Sequence, residues 1–229
     1  MRMICANVAS TFSLNVRTDC MDRTESPKPD FSDSITVVTG LPRSGTSLMM
    51  QMLEAAGVPI LCDDERKRDS SNPNGYYELA AVKATARDTS WVARAPGHAV
   101  KVIHALVPVL PRDRSYRVIL MLRDLAEVID SQARMLAARG QPAGELPEAL
   151  LAEIFAAQLD ETRQTLEAGA CFDWIEVQHG NLIEDGRVAA QRVSQFLGLC
   201  DPGSSPDTAR IKAMSAVVDP ALYRARKQT

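Results

Sequence analysis

Short apolar runs alternate with amphipathic segments along most of the chain. Runs of β-branched and other apolar residues predict buried strands over 35–39, 98–103, 117–122 and 173–177. Apolar positions recur with a helical period in the segments 44–56, 78–93, 125–138, 148–168 and 186–197. Strands that alternate with helices are typical of a parallel sheet that is covered on both faces. The pattern therefore predicts an α/β fold of three layers, α/β/α, with a central parallel sheet.

Two polar segments stand apart from this alternation. Residues 1–33 are rich in serine, proline and charge, and they predict a flexible N-terminal leader. Residues 62–76 are polar and contain proline and glycine, which predicts a long loop of the kind that is usually functional. We expect one domain over residues 34–229, because no linker divides the rest of the chain.

Composition narrows the class of protein. The 229 residues are 45% hydrophobic and 24% charged, and 26 Lys and Arg against 29 Asp and Glu give a net charge of −3. A balance so near neutral argues against a nucleic-acid polymer as the main partner, although a locally basic pocket would not alter it. The five cysteines contain no C-x-x-C pair, and the three histidines are not grouped with them, so we predict reduced thiols and no metal site. No segment has the roughly 18 consecutive apolar residues of a membrane span, and we expect a cytoplasmic protein.

The first strand and the first helix are joined by a glycine-bounded turn. Gly40 and Gly45 stand five positions apart in V-T-G-L-P-R-S-G-T-S-L, and Ser47 follows in the helix. The phosphate-binding P-loop has the pattern G-x-x-x-x-G-K-[ST] in the same context. Here Thr46 replaces the lysine, and a cation appears three positions earlier as Arg43.

This replacement changes the expected ligand. Glycines let backbone N–H groups point into the turn, and the helix N-terminus adds its positive end, so the turn still favours an anion. Arg43 can place two N–H groups on one oxyanion. The missing lysine normally reaches the β- and γ-phosphates, so its absence argues against a magnesium-bound triphosphate.

The loop resembles the 5′-phosphosulfate-binding loop of the sulfotransferase family, whose pattern is P-[KR]-S-G-T. That family uses 3′-phosphoadenosine 5′-phosphosulfate (PAPS), releases 3′,5′-ADP and has a P-loop NTPase-like α/β fold. The resemblance implies the same cofactor here, bound at its 5′-phosphosulfate by the loop residues Arg43, Ser44, Gly45, Thr46 and Ser47.

A second motif is similar to the same family. Arg123 follows the strand that ends in R-V-I-L-M-L, and Ser131 lies eight positions later in the next helix. Sulfotransferases have an Arg and a Ser at this spacing that bind the 3′-phosphate of PAPS. The resemblance therefore assigns the 3′-phosphate to Arg123 and Ser131.

The resemblance extends more weakly towards the C-terminus. The segment F-D-W-I-E-V-Q-H-G-N-L resembles the family's late strand and its Y-E-D-L turn, with His179-Gly180-Asn181-Leu182 in place of that turn. The basic residues Arg224, Arg226 and Lys227 resemble a C-terminal segment of bacterial members, and a solvated tail is the alternative interpretation.

Transfer of a sulfuryl group to a hydroxyl needs a general base, and two residues compete for that role. Glu78 lies in N-P-N-G-Y-Y-E, which resembles N-P-x-G-[FYW]-[FYW]-E of bacterial and carbohydrate sulfotransferases, and is expected to begin a helix. His104 stands at a strand end, where cytosolic sulfotransferases carry a histidine that acts as the general base. Lys101, in the same strand, fits a pocket cation near the transferred group. Glu78 is the preferred base, and residues 62–76 are hypothesised to form a mobile gate over the acceptor.

The sequence thus favours a PAPS-dependent sulfotransferase that acts on an acceptor hydroxyl by in-line transfer. Two alternatives stay open. One is a P-loop kinase for a small molecule, in which Asp124 would serve Mg²⁺. The other is a non-catalytic nucleotide-binding protein on the same fold.

Overall fold

The computed structural model describes residues 33–63, 75–141, 146–200 and 208–219. The predicted leader lies outside these residues except for Asp33. The basic residues Arg224, Arg226 and Lys227 and most of the predicted 62–76 loop lie outside them as well.

The described part of the chain contains a four-stranded sheet in which every neighbouring pair is parallel. The strands are β1 (Ile35–Gly40), β2 (Ala99–Lys101), β3 (Tyr116–Leu122) and β4 (Phe172–Gln178). Their spatial order is β2-β1-β3-β4. Because all four run the same way, their carboxyl ends meet at one edge of the sheet.

Helices cover both faces of this sheet. They are α1 (Thr46–Ala55), α2 (Leu125–Ala138), α3 (Glu148–Ala168), α4 (His179–Glu184), α5 (Gly186–Phe196) and α6 (Ala209–Ala216). One buried cluster joins a sheet face to α1, α5 and α6, and a second joins the other face to α2 and α3. The predicted three-layer α/β/α fold with a central parallel sheet is confirmed.

The side chains of β1 show how the strand divides the two clusters. Val38 packs with the cluster of α1, whereas Val37, its neighbour, packs with the cluster of α2 and α3. Successive side chains of a strand point to opposite faces, so a strand buried on both faces must be apolar throughout. This requirement explains the largely apolar runs of β1 and β3, which are buried along their whole length, whereas β4 is only partly buried and carries charged residues.

The long helices match their predicted bounds closely. Helices α2 and α3 span 125–138 and 148–168 as predicted, and α5 ends one residue before the predicted 197. Aspartates cap two of these helices. The Asp124 carboxylate accepts the Glu127 N–H at the start of α2, and Asp185 does the same for the first turn of α5.

The prediction of one helix over 78–93 is wrong. Two 3-10 helices, Ala80–Ala84 and Ser90–Arg94, occupy the segment. Between them, the Asp88 carboxylate accepts the Ser90 N–H at 2.9 Å. An aspartate that bonds the backbone two residues ahead favours a turn over a continuous helix, which separates the two pieces.

Three elements were not predicted from the sequence: the 3-10 helix His104–Val109, α4 and α6. Helix α6 presents two buried apolar side chains, Ile211 and Met214, to α1 and α5. Two apolar positions are too few to reveal a helical period in the sequence. No described helix is long and apolar enough to cross a membrane.

Candidate functional site

The glycine-bounded turn forms a tight loop between β1 and α1, and we call residues 40–47 the phosphate loop. Three of its residues have positive φ: Gly40 at 145°, Arg43 at 74° and Gly45 at 97°. The Ser44 N–H donates to the Leu41 carbonyl at 3.1 Å, which closes a turn inside the loop. Gly45 is the N-cap of α1 and has no side chain with which to cap it, so the N-terminal N–H groups of the helix face the loop.

Both glycines are required by close neighbours. A Cβ at Gly40 would lie 2.5 Å from the Met121 carbonyl oxygen, and one at Gly45 would lie 2.5 Å from Cδ2 of His179. These contacts come from the carboxyl ends of β3 and β4. The loop, which we call the phosphate loop only for the ligand that its sequence motif predicts, is therefore packed directly against the sheet edge at which the other candidate residues lie.

Ser44 is the loop residue whose side chain is most informative about a ligand. It is 1% exposed, and within the described residues its Oγ has no hydrogen-bond partner. A buried polar atom left in this state costs about 1–3 kcal/mol. An anion oxygen held in the loop would accept a hydrogen bond from the Ser44 hydroxyl, so this residue fits a phosphate or sulfate ligand.

Arg43, Ser131 and Arg123 lie together, as the sequence motifs predict for one binding site. Nε of Arg43 donates to Oγ of Ser131 at 3.0 Å, across 88 positions of the chain. One Nη of Arg123 donates to the carbonyl oxygen of Arg43 at 3.1 Å. Ser131 is buried and both arginines are partly buried. Two guanidinium groups and a hydroxyl therefore converge beside the phosphate loop.

A carboxylate that the sequence did not single out orients Arg123. Nε of Arg123, just before α2, donates to Oε2 of Glu127 in the first turn of that helix, at 2.9 Å. The side chains are 11% and 25% exposed, so this pair is shielded from water more than a surface ion pair is. Glu127 could have been suggested from its i, i+4 spacing to Arg123.

Ser47 and Lys101 form a second contact at the same edge. Nζ of Lys101 donates to Ser47 Oγ at 3.1 Å and to the Tyr76 carbonyl oxygen at 3.0 Å. Lys101 is the last residue of β2. From there its side chain contacts both Ser47 in α1 and the backbone at Tyr76. The predicted pocket cation is thus in contact with the phosphate loop.

Glu78 stands two residues beyond Tyr76, whose carbonyl contacts Lys101. Its expected place as the first residue of a helix is wrong, because the 3-10 helix begins at Ala80. The Asp63 carboxylate accepts the Ala80 N–H instead, and that bond supplies the start of the helix. The Glu78 carboxylate lies 3.5 Å from Nζ of Lys83 and is 20% exposed.

His104 is buried and bonded through both ring nitrogens. Nδ1 lies 3.2 Å from the Gly40 carbonyl oxygen, and Nε2 lies 3.1 Å from the side-chain oxygen of Gln158 in α3. Both ring nitrogens are thus engaged by groups of the fold, one by the backbone of the phosphate loop and the other by the side chain of Gln158. His104 therefore ties the start of the phosphate loop to α3.

His179 is a site residue whose role sequence reasoning missed. It follows β4 directly, is 6% exposed and packs its ring edge on Gly45. The pKa of His179 is lowered from 6.5 to about 4, mainly by burial and also by the positive charge of Arg123, while the Glu127 carboxylate opposes the change. The ring is therefore neutral at pH 7. Its signals in the sequence were its position at a strand's carboxyl end and its place in the segment that resembles the Y-E-D-L turn.

Comparisons with known proteins give fold relatives only. No family model matches the chain, and no curated protein matches its sequence. The sulfotransferase domain from the curacin biosynthetic pathway is 15% identical with a TM-score of 0.47, over 82% of this chain and 88% of that one. The sulfotransferase from Alicyclobacillus acidocaldarius is 13% identical with a TM-score of 0.45, over 83% of this chain and 99% of that one. These two proteins are both sulfotransferases.

Proposed function

We propose that this chain is a PAPS-dependent sulfotransferase that moves a sulfuryl group to an acceptor hydroxyl. One observation carries the proposal: Arg43 of the phosphate loop contacts Ser131 directly, while Arg123 holds the Arg43 carbonyl. The three residues belong to two motifs that were recognised independently in the sequence. Their contact supports a single site for an anion with more than one phosphate-like group.

The residues present fit such a ligand. The buried Ser44 hydroxyl lacks a partner among the described residues, and the N-terminus of α1 opens onto the same loop. Gly40 and Gly45 keep side chains out of the turn, which allows a close approach of the backbone to an oxyanion. When bound, PAPS supplies the activated sulfuryl group.

The chain's own contribution to transfer is charge stabilisation and positioning. Lys101 donates to Ser47 and the Tyr76 carbonyl, so its ammonium group is fixed at the loop on the side of β2. Fixed donors of this kind stabilise negative charge on a leaving oxygen without having to reorganise. In-line transfer then depends on an acceptor that is held on the opposite side of the sulfuryl group.

Glu78 is the base that the contacts favour. Its carboxylate accepts a proton from the acceptor hydroxyl in this mechanism, and its partner Lys83 is 61% exposed. His104 fits the role less well, since Nδ1 is engaged by the Gly40 carbonyl and Nε2 by the Gln158 side chain. An alcohol or phenol as acceptor, a gate formed by residues 62–76 and a cytoplasmic location stay predictions.

Calorimetric titration with nucleotides tests the proposal. We expect 3′,5′-ADP to bind at least about 10-fold more tightly than ADP in a buffer with EDTA, because only the former carries a 3′-phosphate for Arg123 and Ser131. Addition of Mg²⁺ should leave that preference in place. A preference for ADP in the presence of Mg²⁺ would refute the proposal and support a kinase.

A second measurement separates an enzyme from a binding protein. Wild-type protein is incubated with radiolabelled PAPS and a panel of alcohols and phenols, and labelled sulfate esters are counted. Transfer to any member supports catalysis. Tight binding of 3′,5′-ADP with no transfer across the panel would favour a non-catalytic nucleotide-binding protein.

A further inference from the structure

Tyr77, the residue before the proposed base Glu78, has an unusual backbone conformation. Its φ is 52°, in the left-handed region, and among the non-glycine residues that the structure describes only Arg43 shares a positive φ. A bulky aromatic residue adopts this conformation at a cost in free energy, and the conformation persists only where surrounding contacts hold it. Strain of this kind is concentrated at functional sites, so the contacts around Tyr77 indicate what it serves.

The backbone is anchored on both sides of Tyr77. The Tyr76 carbonyl accepts a hydrogen bond from Nζ of Lys101 at 3.0 Å. The Glu78 carbonyl accepts the Asp63 N–H at 2.9 Å. Only the backbone dihedral angles of Tyr77 and Glu78 lie between these two anchored carbonyls. A change of Tyr77 to a negative φ would therefore turn Glu78 or break one of the two bonds.

The side chain of Tyr77 is held by helix α1. Its hydroxyl donates to Oε2 of Glu54 at 2.7 Å, near the end of that helix. Its ring is partly buried against the apolar cluster of α1, α5 and α6. A hydrogen bond from a hydroxyl to a carboxylate is charge-assisted, which makes it shorter and stronger than a neutral one. The helix that begins in the phosphate loop thus also fixes the residue next to Glu78.

We infer that Tyr77 is a positioning residue for Glu78: the bond from its hydroxyl to Glu54 maintains the left-handed backbone that directs the Glu78 carboxylate towards the acceptor. This inference rests on the proposed function, in which Glu78 is the general base. A base acts only within hydrogen-bond reach of the proton that it removes, so a small rotation of its backbone lowers turnover without changing how the nucleotide binds. Tyr77 itself exchanges no proton in this role.

Steady-state kinetics of sulfate transfer by variants of this bond test the inference. Tyr77→Phe keeps the ring and loses the bond to Glu54. We expect kcat to fall by about 5- to 20-fold, the lower range for one charged hydrogen bond because this one is exposed. The KM for PAPS and the affinity for 3′,5′-ADP should stay within about 2-fold of wild type.

Variants of Glu54 complete a double-mutant cycle. Glu54→Ala should lower kcat as Tyr77→Phe does, and the double variant should lose no more than either single variant, because both changes remove one shared bond. Glu54→Gln should recover most of the turnover, because its amide oxygen still accepts the hydroxyl. Additive losses in the double variant would overturn the inference.

A second pair of variants tests the backbone conformation separately. Tyr77→Asn and Tyr77→Val both remove the ring and the bond to Glu54, but asparagine tolerates a positive φ, whereas β-branched valine does not. If Tyr77 served packing alone, valine would be the better replacement, because the neighbouring cluster is apolar. The positioning role requires the opposite order, with kcat of Tyr77→Asn at least about 3-fold above that of Tyr77→Val.

Tyr116→Phe is the matched control for the loss of a tyrosine hydroxyl. It removes a bond of 2.9 Å to the Pro111 carbonyl at the start of β3, the end of the sheet opposite the site. This variant should unfold at a lower temperature and keep its kcat. Thermal unfolding of every variant checks that it is folded.

The outcomes separate the inference from the proposed function. An unchanged kcat in Tyr77→Phe, an equal loss in Tyr116→Phe, or a higher kcat in Tyr77→Val than in Tyr77→Asn would overturn the inference while the proposed function stands. Wild-type protein that binds 3′,5′-ADP no better than ADP and transfers no sulfuryl group would overturn the proposed function itself.

Discussion

His104 and Glu78 have different surroundings although both were candidates for the base. His104 is 6% exposed and bonds the Gly40 carbonyl and Gln158, so it connects the phosphate loop with α3. Glu78 forms an ion pair with Lys83, an exposed lysine whose side chain can move away at a small cost in free energy. A base must accept a proton at an atom that substrate can reach. The surroundings therefore favour Glu78.

Glu78→Gln tests this choice. We expect turnover to fall by about 10²- to 10⁴-fold, the usual contribution of general base catalysis, because the amide cannot accept the proton. Affinity for 3′,5′-ADP should stay within about 2-fold of wild type, since the role proposed for Glu78 is on the acceptor hydroxyl and not on the nucleotide. Turnover is measured by sulfate transfer to whichever acceptor the wild-type protein uses.

Two variants accompany it. Lys83→Met removes the ion pair with Glu78 and should leave most of the turnover. This variant shows whether the loss in Glu78→Gln comes from the carboxylate itself or from the broken ion pair. His104→Gln should lower the free energy of unfolding, because it weakens a buried connection between the loop and α3. Full turnover in Glu78→Gln together with its loss in a folded His104→Gln protein would reverse the assignment.

Helix α2 holds several residues of the proposed phosphate site. It supplies Ser131 and Glu127 to the arginine group, and its first turn is capped by Asp124. The carboxylate of Asp124 accepts the Glu127 N–H at 3.1 Å. This geometry gives Asp124 a structural role in place of the Mg²⁺ ligand that a kinase would require.

A pair of substitutions distinguishes these roles. Asp124→Ala should lower the free energy of unfolding by about 1 kcal/mol, because it removes the N-cap, whereas Asp124→Asn should change it by a few tenths, because asparagine caps equally well. Urea unfolding measures both. If Asp124 held Mg²⁺, both variants would lose Mg²⁺-dependent nucleotide binding to the same extent.

Local signals in the sequence were sufficient for elements such as α2 and α3. Their apolar period is long, and Asp124 marks the start of α2, so the predicted bounds match. They were insufficient for 78–93, where the bond from Ser90 to Asp88 divides a plausible helix. They were also insufficient for His179, whose burial depends on Gly45, a residue more than 130 positions away. Contacts between distant parts of the chain have no local pattern in the sequence.

The parallel sheet explains why distant motifs form one site in the whole molecule. The phosphate loop follows β1, Lys101 ends β2, Arg123 follows β3 and His179 follows β4. Every neighbouring pair is parallel, so these four positions share the carboxyl edge, which is where open α/β sheets bind ligands. A net charge of −3 therefore coexists with two cations, Lys101 and Arg123, that contact a loop carrying a third, Arg43.

The same arrangement lowers the stability of the fold in acid. His179 is buried against Gly45 beside Arg123, and its pKa is lowered to about 4 from 6.5. Between these two values the unfolded chain binds a proton that the native protein does not. The stability contributed by neutral His179 is therefore complete above pH 6.5 and is lost as the pH falls towards 4.

Urea unfolding of wild type and His179→Phe at pH 8 and pH 5 measures this loss. Wild type should lose about 2 kcal/mol more than the variant over that range, because about 1.4 kcal/mol corresponds to each pKa unit and protonation of the native ring is incomplete at pH 5. Phenylalanine keeps a ring against Gly45 without a titrating group. His179→Asn, which is smaller, should give the same reduced pH dependence on a lower overall stability. If both variants lost as much stability as wild type between pH 8 and pH 5, His179 would not be the buried neutral group that links the phosphate loop to acid unfolding.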